Sequence, residues 1–257
     1  MVRGLYTGYT GMVNEQKRLD IISNNIANSA TVGYKKEGVT NQSFDDVLTL
    51  KIRDASVAYQ DRVIGDMSLG VKIGEVYTDF NQGSLRETGN TYDLAIEGKG
   101  FFPVTVVDKE GNETTKYTRD GSFKRTADGF IVDTNGNHLK SENGDLVIPP
   151  DANDVSIGTD GSVFADNMLI DKIKITDFED YAYLKKYGEN MYEPVDGAVE
   201  MDGNSLIHQG FTEQSNINVV SEMVQMITIT RAYEANQKVI QTVDTMLDHA
   251  VNSVGKV

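Results

Sequence analysis

The chain has 257 residues, 39% of them apolar and 8% aromatic, with no Trp, no Cys and a net charge of −15. That length serves one large domain or two smaller ones with a buried core. The missing cysteine excludes disulfides, thiol catalysis and thiolate metal sites, the acidic balance argues against nucleic acid as a partner, and no run approaches the roughly 18 apolar residues of a membrane-inserted span.

The acidity is uneven. Residues 1–38 sum to +2 and residues 219–257 to −1, so the middle carries the excess and the ends are free to pack closely. The opening "MVRGLYTGYTGMVNEQKR" shows no apolar h-region and no small-residue cleavage site. No ordinary secretory signal is therefore expected, and export would need another machine.

Residues 1–38 read as an N-terminal helix. Leu5, Met12, Leu19 and Ile26 recur every seven positions, with Tyr9 and Ile22 between them. Gly4, Gly8 and Gly11 each weaken the helix by about 1 kcal/mol relative to Ala, so it needs a partner, and they permit that partner to come close. The helix ends in "LDIISNNIANSATVGYKK", which crowds Asn24, Asn25 and Asn28 into five positions and then places Gly33 and Tyr34. Asparagine is a poor helix former because its side chain competes for backbone groups.

Residues 39–80 read as an extended, charged connector, with a short helix predicted from Phe44 to Ile52. Residues 81–215 read as an antiparallel β domain. Turn pairs such as Asp128-Gly129, Asn135-Gly136 and Asn143-Gly144 separate short strand-like runs such as Phe130-Ile131-Val132.

Residues 216–257 return to a helix. Val219, Met226, Tyr233, Ile240, Leu247 and Val254 recur every seven positions, and Met223, Ile229, Val243, Ala250 and Val251 fill the stripe. Asn218 is the expected N-cap and Gly255 the expected stop. The fold class expected is α+β: terminal heptad helices that pair as a coiled coil, around a central, mainly antiparallel β domain.

Candidate chemistry is thin. His138, His208 and His249 form no triad or metal-spaced pair. "DTNGNHLKSENGD" begins like a calcium loop at Asp133, Asn135 and Asn137, but His138 stands where the loop needs Gly and Gly144 where it needs Glu. Two tight turns explain it better. Gly98 and Gly100 lack the third glycine and following helix of a dinucleotide site, so they read as turn or bulge glycines. No cofactor, metal site or catalytic residue is expected. The apolar faces are wide, since Tyr6, Val13 and Ile21 flank one stripe and Val220, Ala232 and Val239 the other. A lone two-helix hairpin would not cover them, which points to further copies as partners.

The asparagine-rich stretch resembles the N-terminal signature of flagellar basal-body rod and hook proteins, through Leu19, Asp20, Asn24, Asn25, Ala27, Asn28, Thr31, Gly33, Tyr34 and Lys35. "GSLRETGNTYDLAIEGKGFFPV" (83–104) is similar to that family's internal block, and "SNINVVSEMVQMITITRAYEANQKVIQTVDTML" (215–247) to its C-terminal helix. The resemblance implies an axial structural protein of the flagellar basal body. Its terminal helices would line a hollow helical tube that carries torque, with the β domain outside. Export would use the flagellar type III apparatus. Partners would be itself, as a homopolymer, and other rod and hook subunits. The seam residues Leu5, Met12, Leu19, Ile26, Val219, Met226, Tyr233, Ile240 and Leu247 would then be the assembly interface. Length and "FDDVLTLKI" (44–52) favour the distal-rod branch, with the proximal-rod and hook branches as alternatives. A monomeric ligand-binding β module or a hydrolase is the reading from another class, and neither accounts for heptads at both ends.

Overall fold

The computed structural model describes residues 2–50, 63–107, 111–152 and 154–254. They divide into two compact units, one drawn from 1–26, 37–78 and 219–257, the other from 27–36 and 79–218.

The first unit is built on α1 (Val2–Ala27) and α2 (Val219–His249). α1 carries its helix through Asn24 and Asn25 to Ala27, despite their poor propensity. α2 starts directly after Asn218 and passes into a π-helical turn at Ala250–Val254; the stop expected at Gly255 lies outside the described residues. The helices touch where α1 has glycine. A Cβ on Gly8 would lie 3.2 Å from Ile240 Cγ1, and one on Gly11 would lie 3.0 Å from Asn236 Nδ2.

The same unit holds two antiparallel strand pairs. β1 (Glu37–Ser43) pairs with the strand at Val71–Thr78, β4, through an irregularity between Val39 and Asn41. β2 (Val47–Leu50) pairs with β3 (Val63–Met67). The helix expected from Phe44 to Ile52 is therefore not formed over its described residues. A run of nine residues gains too few helical hydrogen bonds to offset nucleation, whereas β3 supplies partners for the backbone at once. Residues 51–62 of the stretch read as connector lie outside the described residues.

The second unit is the β domain, and every strand pair in it is antiparallel. Its largest sheet runs in the order Leu184–Tyr187, Met191–Pro194, Glu113–Thr118, Phe102–Val107, His138–Ser141, Ile131–Val132, Lys124–Arg125, with Gly144–Asp145 added beside His138–Ser141. A three-stranded meander spans Val155–Ile157, Ser162–Ala165 and Met168–Lys172. One core gathers Leu94, Ile96, Phe102, Val104, Leu139, Ile148, Val163 and Ile207, and a second gathers Phe101, Tyr117, Phe178 and Tyr192. Full burial of each such side chain is worth about 1.5–3 kcal/mol. Gly98 and Gly100 adopt φ of 115° and 108° just ahead of Phe102–Val107, the turn geometry expected of them. The molecule is thus α+β, with an N-terminal helix, a C-terminal helix and a mostly antiparallel β domain between them.

Candidate functional site

The signature stretch does two separate jobs, one in each unit. Asn25 belongs to the helical unit and is completely buried. Its Nδ2 donates to the Glu37 carbonyl at 2.8 Å, and its Oδ1 accepts from the Glu37 N–H at 3.0 Å. The amide thus pairs both backbone groups of the first residue of β1, as a neighbouring strand would. Nδ2 also reaches Glu222 Oε2 on α2 at 3.4 Å. These bonds offset the poor helix propensity, since each buried polar group left without them would cost about 1–3 kcal/mol. Asn24 and Ala27 are exposed.

The second job lies in the β unit. Asn28 closes the turn after α1: its carbonyl accepts from Thr31 N at 3.2 Å and its Oδ1 from Thr31 Oγ1 at 3.2 Å. Gly33 follows at φ 67°, and its N–H donates to the Glu213 carbonyl at 2.8 Å. A Cβ there would lie 2.5 Å from the Arg119 backbone, so only glycine fits. Tyr34 is buried, with Lys186 Nζ 4.2 Å from its ring centroid and donating to its hydroxyl at 3.2 Å.

Lys35 is buried too, and Nζ donates to Glu213 Oε1 at 2.6 Å and to the Asn81 carbonyl at 2.9 Å. The other carboxylate oxygen of Glu213 takes Arg119 at 3.2 Å, while Oε1 also accepts from Gly83 N at 2.8 Å. Burial pushes the Lys35 ammonium below its ordinary range, and Glu213 opposes that shift. Beside this cluster, Asn216 ties together three stretches of chain close to where each leaves the β unit. Its Oδ1 accepts from Lys36 N at 2.8 Å, and its Nδ2 donates to the carbonyls of Asp79 and Asn81 at 2.8 and 3.1 Å. Sequence reading missed Arg119, Glu213 and Asn216. Glu213 lies 178 residues from Lys35, and no local spacing marks such a pair.

The seam residues occupy one class of environment. Leu5, Met12, Leu19, Ile26, Val219, Met226, Tyr233, Ile240 and Leu247 are all half-buried. Of these, Ile240 is brought against Gly8. Met223 and Val251, read as stripe positions, are 50% and 67% exposed. The inward position beside Met223 is taken by Glu222, which is buried, and the next two heptads supply Ile229 and Asn236. Another apolar face of α2, with Val220, Val224 and Ile227, is exposed, as are Tyr6 and Tyr9 on α1. Tyr9 and Val13 also wall a groove of about 220 Å³ with Phe44 and Ile73.

Of the residues weighed for chemistry, Asp133 is held by its own loop. Asp133 Oδ1 accepts from Asn135 N at 2.7 Å and Asn137 N at 2.9 Å, and Oδ2 accepts from Asn137 Nδ2 at 2.8 Å. That is an Asx-type turn closed over Gly136 at φ 88°. His138 stacks on Phe130 and meets Asp145 at 3.0 Å, His208 meets Glu97 at 2.5 Å, and His249 is exposed in the last turn of α2.

Comparison with known proteins gives three family matches in chain order. Residues 5–35 match the flagella basal body rod protein family, residues 95–165 the D1 domain of the flagellar hook protein FlgE/F/G family, and residues 208–253 the C-terminal domain of the flagellar basal body rod FlgEFG family. The flagellar basal-body rod protein FlgG of Bacillus subtilis (strain 168) is 36% identical, over 98% of this chain and 99% of its own length. FlgG of Buchnera aphidicola subsp. Schizaphis graminum is 34% identical, over 96% of this chain and 98% of its own. The rod protein FlgF of Caulobacter vibrioides is 32% identical over the full length of both.

Proposed function

The chain belongs to the flagellar basal-body rod protein family, and on that premise we propose that α1 and α2 pair along their heptad stripes and polymerise with further copies into a hollow axial tube. It is a structural subunit of the basal-body rod and not an enzyme. In the proposed polymer the terminal segments 1–38 and 216–257 form the axial core, 81–215 the outer domain and 39–80 the connector. The seam from Leu5 to Ile26 and from Val219 to Leu247, half-buried within the unit, is the assembly interface together with the exposed side chains that flank it, Tyr9, Val220, Val224 and Ile227. Contacts with other rod and hook subunits continue the tube at its ends, and the whole carries torque from motor to hook. Delivery runs through the flagellar type III apparatus. Among the described residues no helix is long and apolar enough to cross a membrane, and we propose no direct insertion. The FlgG relatives favour the distal rod position over the proximal one.

One observation carries this reading. The helices expose apolar side chains that their own unit leaves uncovered, including Val220 at 72%, Val224 at 59%, Ile227 at 54% and Tyr9 at 54%. Apolar surface sustained along one helix face marks an interaction surface. The test is Ile240→Asp, which puts a carboxylate into the seam. A buried unpaired charge costs several kcal/mol, and the cost recurs at every subunit of a polymer. The variant should be exported with its β unit folded but should build no rod, so the cells should be non-motile. Gln237→Glu, on an exposed position of the same helix, should be mild. Motility and electron microscopy of basal bodies read both, and normal rods carrying Ile240→Asp would sink the proposal.

A further inference from the structure

An apolar heptad stripe is degenerate. Leu5, Met12, Leu19 and Ile26 repeat every seven residues on α1, and the α2 seam repeats likewise, so a slip of one heptad still sets apolar against apolar. Two polar positions break that repeat. Glu222 and Asn236 face inward on α2, 14 residues or two heptads apart. Their counterparts on α1 are Asn25, bonded to Glu222, and Gly11, whose missing side chain leaves room for the Asn236 amide. Gly11 and Asn25 are likewise 14 residues apart, which fixes the two helices as antiparallel partners in step.

We infer that Glu222 and Asn236 set the register of α1 against α2, and so select which residues of each helix are left outward for assembly. The inference rests on the helix pairing proposed above. In the observed register the Glu222 carboxylate has the buried Asn25 amide as donor, and the Asn236 amide lies over Gly11. One slip would set Asn236 against Arg18 and the other against Gly4, so the glycine slot opposes the first slip, and both slips separate Glu222 from Asn25. A slip of one heptad carries Asn25 to the level of Ile229 or past the start of α2, and costs that bond. The polar pair therefore adds little to the strength of pairing and much to its uniqueness, the role a single buried polar residue plays in helix bundles.

The test exploits the absence of native cysteine. Gly8→Cys is combined in the full-length chain with Ile240→Cys, Tyr233→Cys or Leu247→Cys, which report the observed register and a slip of one heptad either way. Mild oxidation is followed by peptide mapping of the monomer-mass species. With Glu222 and Asn236 present, the Ile240→Cys pair should dominate. With Glu222→Leu and Asn236→Leu together, the share of slipped crosslinks should rise about tenfold, equivalent to about 1.4 kcal/mol of lost preference, while Glu222→Gln should keep the observed register. If the double leucine variant still joins only at position 240, or joins at none of the three, the register claim is overturned. If the unaltered background shows no preference for position 240, the helix pairing itself fails instead.

Discussion

In the β unit, Phe102, Val104, Leu139, Ile148, Val163 and Ile207 are sealed from solvent. In the helical unit, Ile22 and Ile229 are the buried apolar side chains among the described residues of α1 and α2, and the seam residues Leu5, Met12, Leu19, Ile26, Val219, Met226, Tyr233, Ile240 and Leu247 stay half-buried. Both units are rich in apolar residues, so composition does not separate them. The β unit closes its core with its own strands, whereas the helical unit is left short of partners. One unit is thus closed by its own strands, and the other leaves apolar side chains such as Val220 and Val224 uncovered.

The comparison breaks most directly at paired truncations. Phe102→Ala removes a fully buried ring that stands edge-on to Phe123 at 5.4 Å, and should cost about 3–5 kcal/mol in urea unfolding of the free chain. Ile240→Ala, at a half-buried position, should cost about 1 kcal/mol in the same assay. Equal losses would show that the free helical unit is as well packed as the β unit. Glu213→Gln should follow, at about 3 kcal/mol, because it leaves Lys35 and Arg119 buried around a neutral amide. Its effect belongs to the β-unit transition, and a variant that unfolds like the parent would show that the cluster is solvated in solution. Gly33→Ala should cost about 2 kcal/mol, through a positive φ and a Cβ forced onto the Arg119 backbone. Thermal melts by circular dichroism check it, and an unchanged midpoint would mean the turn can rearrange.

Legibility in the sequence followed the range of each interaction. The helices were readable because a heptad repeats in a single segment, and the β domain because turn glycines punctuate it at short intervals. The buried cluster was half readable: the signature marked Gly33, Tyr34 and Lys35 but not Arg119 or Glu213, which meet them only once the chain has folded. Hydrophobicity also chose the wrong neighbour at one position of α2. Met223 is apolar and Glu222 is charged, yet the seam spacing from Val219 puts Glu222 inside, where Asn25 receives it. The strand at Val47–Leu50 escaped because its partner, Val63–Met67, follows a gap that no turn signal of the hairpin kind announces.

The smallest expected effect is a slope rather than a drop, and it isolates the β-unit cluster from everything in the helical unit. Burial lowers the Lys35 pKa below the ordinary 10.5. Between those two values the unfolded chain holds a proton that the folded chain has released. Stability therefore rises with pH in that window, because the unfolded state binds more protons there. Tyr117 and Tyr181 pull the other way. Burial, with Glu200 beside Tyr117 and Asp177 beside Tyr181, raises their phenols, so their contribution falls away as pH climbs beyond the ordinary value of 10.0. The measurement is the unfolding midpoint of the β transition from neutral pH up to that value, taken as the difference between the parent and Lys35→Met. Both tyrosines and every surface group cancel in the difference. The parent should gain on the variant as pH rises, whatever the fixed cost of the substitution. A difference that stays flat would mean that Lys35 keeps an ordinary ammonium in the folded chain, with water reaching the cluster, and that the β unit is less closed at its root than its core implies.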